Sequence, residues 1–558
     1  MQTFIKNHFS YFIITVFTLL FATGLLQLYN YPENFDTKSE QAILYMNLLE
    51  YKNILNPGSL TEADHIFRGN FFTEIHLSSD RDHGISMMYP FLFLIAKENT
   101  MSPYAHGLIW HGYIYFIFCL GAVFFYLFAN KLTDNKFVAL IGSSFYFLSP
   151  RIFADGLHNN KDIIFLSALI ILMYFSIRLN EDEDWRSVVF FSLIGGIVCN
   201  TRSVGFLMLA LFGAFYILRK LMLKSFNTKN FLRGLAAALG TLLSYVIFTP
   251  ACLYDRKLHL IDQISYSIYR SSHFDGWWAP QLFEGHLYDW KVESLPWYYL
   301  PKYILITTPP MAILLFIMGI IALGFMAIGV KRNALELSYG VLAILCMMVP
   351  MVAAMASHSV LYNGWRHFYF IHGFLITVCI IGLDYFYPFI KEHSILNKTC
   401  LSILFLCTLF YYIGNLTFGV GGSMYFNLFA GRSVPTKYEM DYYGVTGKEI
   451  LTRLDKTCKD TGDIYIYAPK YHISVLENAL WTLSLKDNRN IKLISSRDEA
   501  FSKMNDDETV YCYFSPVYAS WFDHNEWVIF KDIAPVVSYR PWGRNAGLLY
   551  DYYYVEGY

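Results

Sequence analysis

Long apolar stretches broken by short polar or charged segments occupy most of the chain. Read as membrane-crossing helices, they fall near 11–28, 107–129, 137–149, 163–177, 187–200, 203–218, 231–250, 303–327, 335–356, 368–386 and 399–415. A perpendicular crossing takes about 20 residues, so the shorter stretches extend through flanking polar turns or pack inside the bundle. The pattern predicts about eleven spans, up to thirteen. The apolar patch at 85–96 contains Pro90 and is too short to cross, which predicts a re-entrant or interfacial segment.

Beyond residue 415 the period changes. Strand-like runs at 463–467, 491–494, 509–514 and 536–540 alternate with helical candidates near 445–456 and 473–485. The expected architecture is therefore a polytopic α-helical membrane module, 1–415, followed by a small α/β domain, 416–558. Segments 29–106 and 251–302 are the long connections of the membrane module.

Composition agrees. Of 558 residues, 55% are hydrophobic and 16% charged, against about 25% charged in an average soluble protein. Mean hydropathy is +0.34. Disordered, collagen-like and coiled-coil classes are excluded, and so is an ordinary soluble enzyme. A net charge of −1 and a pI near 7.0 supply no field that would recruit nucleic acid.

Lys and Arg placement orients the chain. With the N-terminus in the cytoplasm, the cytoplasmic connections hold Lys131, Lys136, Arg178, Arg186, Arg219, Lys220, Lys224, Lys229 and Arg233, with Lys6, Lys331, Arg332, Lys391 and Lys398. The short connections on the other side hold only Arg151, Lys161, Arg202 and Arg366. Eleven crossings then put the C-terminal domain on the extracytoplasmic side. The first span runs on without a small-residue cleavage site and is expected to stay as an anchor. Seven of nine cysteines lie in or beside apolar stretches, and no CxxC or Cys/His cluster suggests zinc. Cys458 and Cys512 fall in the polar C-terminal part, where an oxidising compartment would favour a disulfide between them.

Ionisable residues near membrane depth are costly unless they face protein or water, so their positions matter. They gather at one face. Asp36 and Glu40 follow the first span, His158, Lys161 and Asp162 follow the third, Arg202 follows the fifth, and Arg366 and His367 follow the ninth. Each also has an ordinary reading: a carboxylate beyond a span caps a helix, Lys161 and Asp162 form an ion pair, and Arg202 and Arg366 snorkel to the interface. Trp277, Trp278 and Trp297 suit an interfacial aromatic belt. Convergence on one face favours a site.

Several short motifs occur in a telling order: Asp36 in the first outer segment, Ser149-Pro-Arg-Ile-Phe with His158-Asn-Asn-Lys-Asp162, and Leu295-Pro-Trp-Tyr-Tyr-Leu-Pro301 with Thr307-Thr-Pro-Pro310. Tyr362-Asn-Gly-Trp-Arg-His-Phe-Tyr369, Met424-Tyr-Phe-Asn-Leu-Phe-Ala-Gly431 and Tyr438-Glu-Met-Asp-Tyr-Tyr-Gly444 follow. To about residue 450 the chain resembles bacterial GT-C-type glycosyltransferases, in the group that includes protein O-mannosyltransferases and the lipid A aminoarabinose transferase. The resemblance implies a polyprenyl-phosphate-linked sugar donor, a glycan, lipid or protein acceptor, and inversion at the anomeric carbon. Many relatives carry adjacent Asp-Glu in the first outer loop. Here Asp36 and Glu40 stand four apart, so either is the candidate base.

The chemistry fits those residue types. Arginines offer a phosphate charge-assisted, bidentate hydrogen bonds, and cations at the leaving phosphate favour the transition state. Arg202, Arg366 and Lys161 are the phosphate-binding candidates; His158, Asp162 and His367 are candidates for orienting substrates. Some relatives use a divalent metal, but no spacing here demands one, and neither metal nor other cofactor is expected. Two rival readings are a flippase or transporter of a lipid-linked saccharide and a non-catalytic envelope assembly subunit. Against transport, no inverted repeat is visible, and the polar residues sit at one face rather than at mid-membrane.

Overall fold

The computed structural model describes residues 2–28, 35–67, 70–92, 101, 103–182, 184–273, 280–330, 333–457, 463–468, 470–483, 490–506, 508–515 and 534–551. The membrane module comprises α1 (Gln2–Leu28), α2 (Phe35–Leu55), α3 (Pro103–Thr133), α4 (Lys136–Leu148), α5 (Pro150–Gly156), α6 (Asp162–Glu181), α7 (Trp185–Thr201), α8 (Val204–Met222) and α9 (Thr228–Phe248). It continues through α10 (Leu260–Ser272), α11 (Tyr299–Thr307), α12 (Pro310–Ala327), α13 (Ala334–Ala356), α14 (Ile371–Glu392) and α15 (Ser394–Phe418).

Among the described residues nine helices are long and apolar enough to cross a membrane: α1, α3, α6, α8, α9, α12, α13, α14 and α15. Two more of the eleven expected stretches are helical but fall short of that length or are bent, so among the described residues the count reaches ten if the bent pair is one span. α4 and α5 bend by 69° at their junction, and α7 is an apolar helix of 17 residues. The reasons are local. Pro150 begins α5 and Pro310 begins α12, each at the first helical turn, where a missing N–H costs nothing. The expected single span at 303–327 is therefore two helices, divided at Thr308-Pro309. Asn135, Asn227 and Asn333 cap α4, α9 and α13 through side-chain oxygens that accept helix N–H groups. Small residues allow close crossings: a Cβ at Gly319 on α12 would lie 2.1 Å from the Val378 carbonyl of α14, and one at Gly382 would lie 2.4 Å from the Gly319 nitrogen.

The first outer segment is more ordered than a loop. Asp36 and Glu40 occupy the first turns of α2 rather than a connection, with Asp36 in the first turn. Within the apolar patch at 85–96, residues 86–91 form a 3-10 turn with Ser86 and Met88 buried; residues 93–96 lie outside the described residues. Gly84 sits so near α7 that a Cβ would lie 1.8 Å from the Asn200 carbonyl. The segment is pinned to the second long connection: buried Glu50 pairs with His76, His76 stacks on Tyr254 at 4.4 Å, and Arg81 pairs with Asp262 on α10 at 3.2 Å. Short antiparallel hairpins, β1–β2 (Ile66–Phe67, Asn70–Phe71) and β3–β4 (Gln281–Phe283, His286–Tyr288), decorate the two connections.

The C-terminal part is a five-stranded sheet in the order β6-β5-β7-β9-β8. β5 (Asp463–Tyr467) runs parallel to β6 (Asn490–Ile494) and β7 (Thr509–Phe514), while β9 (Gly547–Asp551) is antiparallel to both β7 and β8 (Val537–Tyr539). α16 (Thr446–Thr457), α17 (Lys470–Thr482) and α18 (Arg497–Asn505) complete it. All four expected strands are present; β9 and α18 are additions. Cys512 is buried in β7, and Cys458 lies outside the described residues.

The Tyr438–Gly444 motif joins the two parts. Asp441 caps α16, accepting from the Val445 N–H at 2.7 Å and the Thr446 N–H at 3.0 Å, while the Thr446 hydroxyl meets Tyr513 of β7 at 2.7 Å. Burial pushes Asp441 up to about 7 and neighbouring Glu439 up to about 8, against N–H groups that donate to each carboxylate. A raised carboxyl value means the unfolded chain loses its proton first, so stability falls as pH rises from the ordinary carboxylate range toward 8. Glu439→Gln removes one such group and keeps an acceptor for the Asn363 N–H. It is expected to flatten the fall in melting temperature between pH 5 and 8, without lowering the melting temperature at pH 7.5. Thermal unfolding followed by tryptophan fluorescence across that range checks it.

Candidate active site

The connection between α5 and α6 builds the centre of the site. Asn159 Oδ1 accepts the backbone N–H of Lys161 at 3.1 Å and of Asp162 at 2.8 Å, an Asx-type turn that starts α6. Its Nδ2 lies within hydrogen-bond reach of Asp155 (3.2 Å), Asp162 (3.0 Å) and the Tyr443 hydroxyl (2.7 Å). One buried asparagine thus holds the backbone of both charged residues and the Asp162 carboxylate.

Each charge meets a partner from another element. Asp162 pairs with Arg202, which ends α7. Lys161 pairs with Glu40 of α2, and the Asn160 side chain donates to the same carboxylate at 3.1 Å. Burial disfavours the Lys161 charge, but Glu40 outweighs it and raises the ammonium above its ordinary value. Arg366 pairs with Asp36 at 3.4 Å. Its guanidinium lies over Tyr362 at 5.0 Å, Tyr443 at 5.6 Å and Tyr442 at 5.8 Å, so aromatic faces hold the cation from several sides. The two candidate bases differ sharply in access: the Asp36 side chain is 51% exposed and the Glu40 side chain 4%.

Beside these pairs opens a cavity of about 650 Å³. Arg202, His367 and Tyr362 line its polar part, whereas Val204, Phe206, Pro350 and Ala354 of α8 and α13 line an apolar part. Burial first, then Arg366, hold the His367 imidazole well below its ordinary value, so it is neutral at pH 7. The arrangement can hold an anion at the mouth of an apolar channel, with a half-exposed carboxylate beside it.

Seven of the eight residues singled out from sequence meet in this region: Asp36, Glu40, Lys161, Asp162, Arg202, Arg366 and His367. His158 is set back. It is fully buried with its ring 4.4 Å from that of Tyr443, and burial lowers its basicity well below the ordinary value. Sequence reasoning missed Asn159, Asn160, Tyr443 and His83. The first three stand inside quoted motifs, where the polar run was the available signal. His83, 3.4 Å from the Lys161 ammonium and 3.4 Å from Asp80, carries no signal beyond lying in the first outer segment. Among the described residues no group of three or more His, Cys, Asp or Glu is placed to hold a metal ion.

No protein-family model and no curated protein matches the sequence. Among solved structures, the chain is similar to ArnT, the lipid A aminoarabinose transferase, from Cupriavidus metallidurans in the apo state. That match has 10% identity and a TM-score of 0.44 and covers 98% of each chain. It is also similar to the same protein bound to undecaprenyl phosphate, at 9% identity and a TM-score of 0.45, covering 96% of this chain and 97% of that one. A third similar structure is the Archaeoglobus fulgidus oligosaccharyltransferase tethered to an acceptor peptide, at 11% identity and a TM-score of 0.39, covering 92% of this chain and 70% of that one.

Proposed function

We propose that the chain is an integral-membrane glycosyltransferase that moves a sugar from a polyprenyl-phosphate-linked donor to an acceptor hydroxyl at the extracytoplasmic face. The observation that carries this reading is the cavity. Cationic and hydrogen-bonding side chains, Arg202 and Tyr362, adjoin an apolar channel between α8 and α13, which suits a phosphate attached to a long hydrocarbon. The acceptor is a glycan, lipid or protein with a free hydroxyl.

Every phosphate-binding candidate is paired with a carboxylate: Arg366 with Asp36, Arg202 with Asp162 and Lys161 with Glu40. Donor phosphate competes with those carboxylates. The pair most easily exchanged is Arg366–Asp36, the longest at 3.4 Å and the one whose carboxylate is half exposed. Exchange gives the phosphate its cation and frees Asp36 in one step. Asp36 then takes the proton of the acceptor hydroxyl as its oxygen attacks the anomeric carbon. The bond from that carbon to the phosphate oxygen breaks on the opposite side, its electron pair leaves with the polyprenyl phosphate, and the centre inverts. Arg366, Arg202 and Lys161 stabilise the charge gathering on the leaving group. Glu40, held by Lys161 and Asn160, positions Lys161 rather than acting as the base.

Asp36→Asn keeps size and most hydrogen bonding but removes the proton acceptor, so turnover should fall by roughly 10²-fold or more with donor binding nearly unchanged. Arg366→Ala should raise the donor KM as well as lower kcat, because a phosphate contact is lost. Glu40→Gln should keep measurable turnover; if it abolishes turnover while Asp36→Asn stays active, Glu40 is the base. The purified protein should also release sugar slowly from the donor without acceptor, which a flippase would not do. A reporter fused after Tyr558 should be active only outside the cytoplasm; activity only inside would reverse the proposed face of the site.

A further inference from the structure

A second cleft, of about 520 Å³, lies between α7, α8 and α9. Its walls are apolar side chains such as Phe191, Leu209, Phe212 and Leu242, and Gly213 and Gly234 keep it open. Several lining residues are also exposed at the bundle surface, among them Ile217 (48%), Phe231 (51%) and Leu235 (43%), so the cleft opens sideways onto the hydrocarbon. Phe206 borders both this cleft and the cavity of the proposed active site, which flank the same helix, α8.

The cleft extends to the end of the bundle opposite the site, where α8 ends, α9 begins and α7 begins. Phe226 and Phe231 line it there, each two residues after a lysine, Lys224 and Lys229. Lys224, Lys229 and Arg186 of α7 are exposed and, among the described residues, join no ion pair. Nearby Arg178 and Arg219, by contrast, are neutralised by Asp182, Asp184 and Glu181. Trp185, 55% exposed at the start of α7, suits the headgroup level. An apolar slot open to lipid, ending at unneutralised cations, matches a molecule with hydrocarbon chains and an anionic head.

We propose that this cleft binds one anionic glycerophospholipid, its chains between α8 and α9 and its phosphate at Arg186, Lys224 and Lys229. The site is separate from the donor cavity and does not depend on the glycosyltransferase reading.

The test uses the full chain reconstituted in vesicles of equimolar phosphatidylglycerol and phosphatidylcholine, then re-extracted in mild detergent and examined for retained lipid by native mass spectrometry. Phosphatidylglycerol should be retained at least about tenfold over phosphatidylcholine. A Cβ at Gly213 meets nothing within 4 Å, so Gly213→Phe fills the slot and should abolish retention of both lipids. The surface variant Arg186→Gln/Lys224→Gln/Lys229→Gln leaves the packing intact and should erase the preference while leaving phosphatidylcholine retention unchanged. Equal retention of the two lipids by the unaltered protein overturns the proposal. So does a preference that survives the triple charge substitution, or displacement of the bound lipid by added polyprenyl phosphate.

Discussion

An ionised side chain at the edge of an apolar bundle is tolerable only when another charge or a set of hydrogen bonds answers it. That requirement organises the site end of this molecule. Three cations from three different connections meet three carboxylates from α2 and α6, and Asn159 holds the Lys161 and Asp162 backbone and the Asp162 carboxylate. Removing one member of a buried pair leaves its partner stranded, typically at a cost of about 3–5 kcal/mol. The Lys161–Glu40 and Arg202–Asp162 pairs, with their buried carboxylates, are therefore structural. Together the three pairs tie α2 to the start of α6 and to the turn before α14, and α6 to the end of α7.

The same constraint separates the two candidate bases. Glu40 is buried, answered by an ammonium and an amide, and drawing it toward a substrate would strand Lys161. Asp36 is half exposed, and its partner Arg366 also lies over the faces of Tyr362, Tyr442 and Tyr443. The spacing of four between Asp36 and Glu40 puts them one helical turn apart on α2. One of them stays half exposed while the other is buried against Lys161 and Asn160.

What was legible in the sequence was what hydrophobic period and charge encode. The eleven long apolar stretches proved helical, the one at 303–327 as two helices, because a run of such residues has no other way to satisfy its backbone in lipid. Where proline intervened, the outcome depended on position. Pro310 starts a new helix after a break at Thr308-Pro309, whereas Pro350 lies inside α13 without ending it. The missed strand β9 pairs with both β7 and β8, and nothing local in Gly547–Asp551 announces two partners. The charged residues of the site could be named because charge beside a span is rare. Asn159 and Tyr443, which contact them, are ordinary polar residues whose importance lies in contacts across 284 positions of sequence.

The two ends of the bundle also clarify the Lys and Arg asymmetry. A count over connections treats all cations alike, yet those at the site end are internal. Arg151 is 1% exposed, with its guanidinium 4.6 Å from the Phe426 ring and its Nε donating to the Tyr425 carbonyl at 3.0 Å, while Lys161, Arg202 and Arg366 face carboxylates. The site end thus presents little of their positive charge outward. At the other end Arg186, Lys224 and Lys229 stand exposed and outside any ion pair among the described residues. The difference in charge actually offered to a membrane surface is larger than the difference in residue counts. It is the exposed, unneutralised fraction that an anionic leaflet attracts.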